Sequence, residues 1–148
     1  MSKTKVLFAA FFALALSANL YAEAMKKGEF SLAGGIFFTG SDGTAFGAAS
    51  LGGHSKFIGI EANGAVFRGS GILGANLVLG TFGAEYVIPY ATAGVWTSTV
   101  GSGGINVGGG IKIKVSEITA FRIEYRHYFL GGGDWDVNTF IGGFSLFF

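Results

Sequence analysis

The chain has 148 residues, 50% of them hydrophobic and 16% aromatic, with a mean hydropathy of +0.53, 13% charged residues and a formal net charge of +1. So small a charge makes no basic field for nucleic acid, and the absence of cysteine excludes disulfide stapling and cysteine-based zinc or redox sites. The length suits one domain, and that domain must be unusually apolar.

At the N-terminus, Lys3 and Lys5 precede an apolar run of 11 residues, Val6 to Leu16, and small residues follow at Ser17, Ala18, Ala22 and Ala24. This is the layout of a secretory signal, with a core shorter than the roughly 20 apolar residues that a membrane helix needs. Cleavage is expected after Ala22 or Ala24, which leaves one domain over residues 25–148. Loss of Lys3 and Lys5 leaves eight basic residues against nine acidic ones, or against eight when Glu23 also departs, so the mature net charge is −1 or 0.

Eight strand-like segments follow. The first, Glu29 to Thr39, sets Phe30, Leu32, Gly34, Ile36 and Phe38 on one side and ends at the turn Gly40-Ser41-Asp42-Gly43. The second, Thr44 to Leu51, is made of small residues, and Gly52 to Ser55 turn the chain. The third, Phe57 to Arg68, alternates Ile58, Ile60, Ala62, Gly64 and Val66 with Phe57, Gly59, Glu61, Asn63, Ala65 and Phe67. After Gly69-Ser70-Gly71 comes the fourth, Ile72 to Gly80, with Leu73, Ala75, Leu77 and Leu79 opposed to Asn76. The fifth, Tyr86 to Ser98, is apolar on both faces; Tyr86, Ile88, Tyr90 and Trp96 are expected to face outward, as aromatics at two interfaces would. Its Pro89 belongs near a strand end or a bulge, because proline cannot donate to a ladder. The sixth, Ile105 to Lys114, opposes Ile105, Val107, Gly109, Ile111 and Ile113 to Asn106, Gly108, Gly110, Lys112 and Lys114.

The last two are the most clearly sided. In Ala120 to Leu130, Phe121, Ile123, Tyr125, His127 and Phe129 share one face, and Arg122, Glu124, Arg126 and Tyr128 the other. Beyond the Gly-rich turn Gly131 to Asp136, Phe140, Gly142, Phe144, Leu146 and Phe148 again share a face. A soluble sandwich would turn these apolar faces inward and its charges to water, whereas a membrane barrel turns the apolar faces to lipid and the polar ones to the lumen. An exported, disulfide-free domain this apolar would present Phe, Ile, Leu and Val to water if it were soluble, and lipid removes that difficulty. Backbone groups in a bilayer must be paired internally, so strands span only as a closed barrel. The expected fold is all-β: an eight-stranded antiparallel up-and-down transmembrane β-barrel behind a cleavable signal peptide.

The signal peptide, the eight alternating segments, Gly108-Gly109-Gly110-Ile111-Lys112-Ile113-Lys114, Phe121-Arg122-Ile123-Glu124-Tyr125-Arg126-His127-Tyr128 and the terminal Phe144-Ser145-Leu146-Phe147-Phe148 resemble the small outer-membrane β-barrel families, the OmpX-like, opacity-like and OmpA transmembrane-domain group. The resemblance implies residence in the outer membrane, with its lipids and, during biogenesis, the barrel-assembly machinery as partners. It also implies an assembly signal on Phe140, Phe144, Leu146 and Phe148.

An eight-stranded barrel is just wide enough to be filled by its own side chains. The inward set opposes Glu61 and Glu124 to Lys112, Lys114, Arg122 and Arg126, with Asn63 beside them, and these are expected to pair in a polar network. The same groups would also line a proton or ion path. On the outer face, His127-Tyr128-Phe129 resembles the H-x-S motif of the outer-membrane lipid A deacylases, but phenylalanine stands in place of the serine and cannot attack an ester. Asp134-Trp135-Asp136-Val137-Asn138 opens like a calcium loop but lacks the required Gly and Glu. No phosphate-loop ending follows the Gly-rich turns. No catalytic, cofactor or metal residues are assigned.

The outer loops, Gly40 to Gly43, Arg68 to Gly71, Thr99 to Gly104 and Leu130 to Val137, are short. Adhesion by this architecture works through displayed loops, so a monomeric, non-enzymatic structural or envelope-integrity role ranks first. A lipid-modifying enzyme of the deacylase type and a soluble periplasmic barrel binding a hydrophobic ligand are the alternatives.

Overall fold

The structure, a computed structural model, describes residues 27–39, 41–67, 69–130 and 136–148. The signal segment, the cleavage positions and most of the Gly131 to Asp136 turn lie outside the described residues. Eight strands follow in order: β1 (Lys27–Thr39), β2 (Asp42–His54), β3 (Ile58–Phe67), β4 (Ser70–Gly80), β5 (Val87–Ser98), β6 (Gly103–Lys114), β7 (Thr119–Leu130) and β8 (Asp136–Phe147). Each pairs antiparallel with the next, and β1 pairs with β8, so the sheet closes on itself as a barrel. The closing seam runs from Glu29 opposite Phe147 to Phe38 opposite Asn138. It is extended by a reciprocal pair of backbone hydrogen bonds between Gly28 and Phe148.

Lys27 and Phe148 lie at one end of the barrel, here the lower end, together with the turns at 55–57, 81–86 and 115–118. The upper connections are tighter than the sequence suggested, because the strands run on into the expected loops. β2 begins at Asp42 and continues through Gly52, Gly53 and His54, which were expected to turn. Gly69 and Gly101 carry φ of 78° and 88° at two upper turns, a conformation that costs glycine nothing.

The period of two divides the wall into two chemical faces. Leu32, Ile58, Leu73, Leu77, Ile105, Ile111, Ile123, Phe140 and Phe144 are exposed on the outside, whereas Glu61, Asn76, Lys112, Arg122, Glu124, Arg126 and Ser145 are buried inside. Ala75 keeps the outward parity but is buried, a single methyl too short to reach past Leu73 and Leu77.

Three expectations are overturned. Ile88, Tyr90 and Trp96 point into the lumen, with exposures of 0%, 7% and 5%; Val87, Pro89, Ala91 and Ala93 face out instead. The lumen supplies the reason: Tyr90 has two charged hydrogen-bond partners there, and the Trp96 Nε1–H donates to the carbonyls of Ile105 and Phe129 at 3.2 and 3.3 Å. Tyr86 precedes β5 and is exposed on a turn. Phe57 is also exposed, because β3 begins only at Ile58 and the alternation does not extend into the turn. Lys114, placed inside by its parity, is half-buried at the lower rim. There it borders an open hollow with Lys27, Glu85, Tyr86 and Glu117. Pro89 is the third residue of β5, close to the strand start, as a residue without an N–H requires.

Candidate functional site

The lumen is layered. At the lower end Val78, Phe82, Ile88, Tyr90, Ala120 and Phe147 form an apolar cluster. Phe82 comes from the 81–86 turn, which folds back under the barrel, and its ring stacks on His54 with centroids 4.3 Å apart. At the upper end Trp96 and Tyr128 meet edge to face at 5.7 Å. Between the two lies an ionic layer.

β7 supplies the centre of that layer, because Arg122, Glu124 and Arg126 fall on its inward face. Arg122 reaches across the barrel to Glu61 on β3, the strand diametrically opposite in the ring, and holds it with two hydrogen bonds, Nη1 to Oε2 at 2.7 Å and Nη2 to Oε1 at 3.2 Å. This forked geometry is the strong form of the arginine–carboxylate pair. Arg122 Nη2 also donates to Glu124, and Arg126 bridges the same two carboxylates at 3.2 Å to Glu61 and 2.7 Å to Glu124. Tyr90 donates its phenolic hydrogen to Glu124 at 2.7 Å and accepts one from Arg122 Nε at 3.0 Å. Asn63 joins the set when its amide is turned so that the oxygen accepts from Arg126 Nη1 at 2.9 Å. Asn76 is fully buried next to it.

Lys112, grouped with these residues by sequence, pairs elsewhere. Its Nζ donates at 2.6 Å to Glu29 of β1, which also accepts from Ser31 at 3.2 Å, and Ser31 shares a hydrogen bond with Ser145 of β8. Glu29 and Tyr90 are the members of the layer that sequence reading missed. The signal for Glu29 was present: Phe30, Leu32 and Ile36 share one face of β1, which commits Glu29 and Ser31 to the other.

Counted over the described residues, the buried charges of the barrel are three carboxylates (Glu29, Glu61, Glu124) and three cations (Lys112, Arg122, Arg126). Every one of them sits in an ion pair. That balance is what a low-dielectric interior demands, since one unpaired buried charge outweighs several good contacts. Among the described residues, small cavities lie beside the layer, one of about 10 Å³ near Glu29, His54 and Lys112 and one of about 20 Å³ near Ser31, Ser50 and Arg126. Each is water-sized.

Outside, Phe140, Phe144, Leu146 and Phe148 are exposed in one row of parity. Phe144 packs on Phe121 at 4.5 Å, and Phe140 on Tyr125 and Phe38 at 5.2 and 6.3 Å. His127 is half-buried on this face; its Nδ1 hydrogen-bonds the Asn138 carboxamide oxygen, which also accepts from Tyr125 at 2.6 Å. Its ring meets Phe129 edge-on at 4.4 Å.

No protein-family model matches the chain, and no curated protein matches it. Solved structures do. The N-terminal β-barrel domain of Pseudomonas aeruginosa OprF is similar with a TM-score of 0.69 at 13% identity, covering 84% of this chain and 98% of that one. Neisserial surface protein A is similar with a TM-score of 0.64 at 13% identity, covering 81% and 95%. Ail, the attachment invasion locus protein of Yersinia pestis, is similar with a TM-score of 0.62 at 14% identity, covering 82% and 98%. Eight antiparallel strands in a closed ring, an apolar exterior and this likeness give the chain the fold of the small outer-membrane β-barrels.

Proposed function

We propose that the chain is an integral outer-membrane protein, exported by its N-terminal signal and embedded as a monomeric, non-enzymatic barrel that contributes to envelope integrity and conducts no solutes. The observation that carries this reading is the inversion of the wall: a continuous apolar exterior encloses three carboxylates and three cations, all paired. In water that exterior would drive aggregation, while in lipid it is the stable arrangement. The braces between β7 and β3, with the Phe82 and Trp96 layers below and above, support a lumen without a through-channel. Outer-membrane lipids are the constant partners. The exposed row Phe140, Phe144, Leu146 and Phe148 is the segment we assign to recognition by the barrel-assembly machinery.

Fractionation tests the reading. The protein should stay with outer membranes through carbonate extraction and migrate faster on gels unless boiled, and planar bilayers containing it should show no stepwise conductance. Recovery in the soluble periplasmic fraction would overturn the membrane assignment, and discrete current steps would overturn the sealed lumen.

Lipid modification draws support from the His127–Asn138 hydrogen bond, which orients a base on the wall. Against it, the neighbours of His127 along and across the strands are Tyr125, Phe129, Val107 and Asn138, none of them a nucleophile of the required kind. Assay of lipid A deacylation, with His127→Ala as the control, should give no activity above background.

A further inference from the structure

The lower mouth of the barrel contains a histidine that the ionic layer does not use. His54 closes β2, is 6% exposed, and lies between two phenylalanines: Phe82 stacks on it at 4.3 Å and Phe147 meets it edge-on at 5.8 Å. Its Nδ1 lies 3.2 Å from the Ser55 carbonyl, a contact that assigns the ring hydrogen to Nδ1. Nε2 is then a buried acceptor with no hydrogen-bond partner among the described residues.

The surroundings decide what a second proton would do. From β6, the Lys112 ammonium lies 5.5 Å over the same Phe82 ring. From β1, Lys27 stands directly across from His54, and Glu29 is its diagonal neighbour, already engaged by Lys112 and Ser31. Tyr90 of β5 faces the ionic layer through its hydroxyl, and Lys56 and Glu85, on the two adjoining turns, are exposed. A protonated His54 would therefore be a fourth cation among three buried carboxylates, packed between the Phe82 and Phe147 rings with no acceptor for its new N–H among the described residues. Glu61 of β3 lines the same cavity as His54 but is held by Arg122 and Arg126, so among the described residues Glu29 is the carboxylate placed to answer that charge, and answering it means loosening Lys112.

We propose that Phe82 and its turn form a pH-sensitive plug, seated under the barrel while His54 is neutral and released when His54 takes up a proton. The turn is suited to release. Three backbone hydrogen bonds outside the strand ladders tie it to the rest of the barrel, Phe82 N to the Lys56 carbonyl of the neighbouring turn at 3.0 Å, Thr81 N to the Pro89 carbonyl at 3.3 Å and Lys114 N to the Tyr86 carbonyl at 2.8 Å, with Ala84 N bonding back to Thr81 at 2.9 Å. Its main hold on the lumen is the Phe82 ring, with Ala84 packed against the same apolar cluster. Release would open the cavity beside Glu29, His54 and Lys112 to solvent at the lower end and leave the cross-barrel braces of Arg122 and Arg126 in place.

Hydrogen exchange tests the proposal on the whole folded barrel in lipid nanodiscs. Exchange rates corrected for intrinsic chemistry are followed from about pH 8 to about pH 5, across the ordinary histidine range. Protection of the Phe82 and Ala84 amides should fall at least about tenfold, while Thr99, bonded to the Gly71 carbonyl at the upper end, stays constant. In His54→Phe both lower amides should keep their protection at all pH values. Nitrogen-15 spectra of the unmodified protein give a readout independent of that variant: the loss of protection should track protonation of the His54 ring. Constant protection in the unmodified protein, an equal loss in His54→Phe, or a loss that precedes ring protonation would each overturn the plug.

Discussion

Tyr90 of β5 and Glu124 of β7 are joined by a 2.7 Å hydrogen bond that passes over Gly110 of the strand between them. Gly110 is the register partner of both, and a Cβ there would stand 2.2 Å from the Ile123 carbonyl and 2.9 Å from the Tyr90 hydroxyl. The glycine is the gap through which the phenol reaches the carboxylate. The inward glycines of β6 are thus matched to their neighbours on β7, Gly110 to Glu124 and Gly108 to Arg126. Tyr90→Phe keeps the ring and removes one partner each from Glu124 and Arg122. We expect a loss of about 1–3 kcal/mol, read as a lower urea midpoint for unfolding from lipid. An unchanged midpoint would show that the phenol is a bystander.

Gly110→Val should be worse than Tyr90→Phe, since backbone on one side and the phenol on the other leave the new side chain nowhere to go. Gly142→Val is the control. Gly142 lies on the outer face with nothing within 4 Å of an added Cβ, so it should tolerate the change and gain strand propensity. Equal losses at the two positions would show that glycine serves general flexibility at both.

The Lys112–Glu29 pair shares no ion pair with the central cluster but touches it through Ser31, 3.5 Å from Arg122 Nη1, and the Tyr90 ring, 5.0 Å from the Lys112 ammonium, so a double-mutant cycle is needed to isolate its contribution. Lys112→Met leaves Glu29 as a buried carboxylate with Ser31 as its one side-chain donor among the described residues and should cost about 3–5 kcal/mol. Adding Glu29→Gln removes the orphaned charge and should restore most of that loss, giving a coupling well above additivity in a double-mutant cycle. Additive effects would mean that solvent already screens the pair.

Most of the barrel was readable because six of the eight strands carry their facing in their own residues; β2, made largely of small residues, was read without a facing. In β7, Arg122, Glu124 and Arg126 alternate with Phe121, Ile123 and Tyr125, and only one parity suits a closed lumen. β5 lacks that information: Val87 to Trp96 is apolar or small on both faces, and aromatic residues suit an interfacial girdle as well as a lumen wall. The information lay in the next strand, whose inward Gly108 and Gly110 require bulky neighbours to fill the space. Phe82 was illegible for a different reason. It sits in a turn outside any periodic segment, and what holds it comes from distant strands, the His54 ring of β2 that stacks on it and the apolar cluster it joins with Phe147 of β8. Glu29 escaped notice only because the facing of β1 was not extended to its first residues.

Ile123 is 54% exposed at mid-height of β7, with Ile111 and Gly142 beside it on the neighbouring strands. For a barrel in water, Ile123→Arg would be neutral or would improve solubility. For a barrel in a bilayer, the same change places a guanidinium near the midplane, far from either headgroup layer, at a cost of about 2–4 kcal/mol. Ile118→Arg, in the lower turn where side chains reach the interface, should cost about 0–1 kcal/mol. Folding each variant from urea into phospholipid vesicles and following the folded fraction by gel mobility separates the two cases. A clear loss for Ile123→Arg with little for Ile118→Arg is the outcome expected of a lipid-facing wall, and equal behaviour of the two would mean that water, not lipid, covers Ile123.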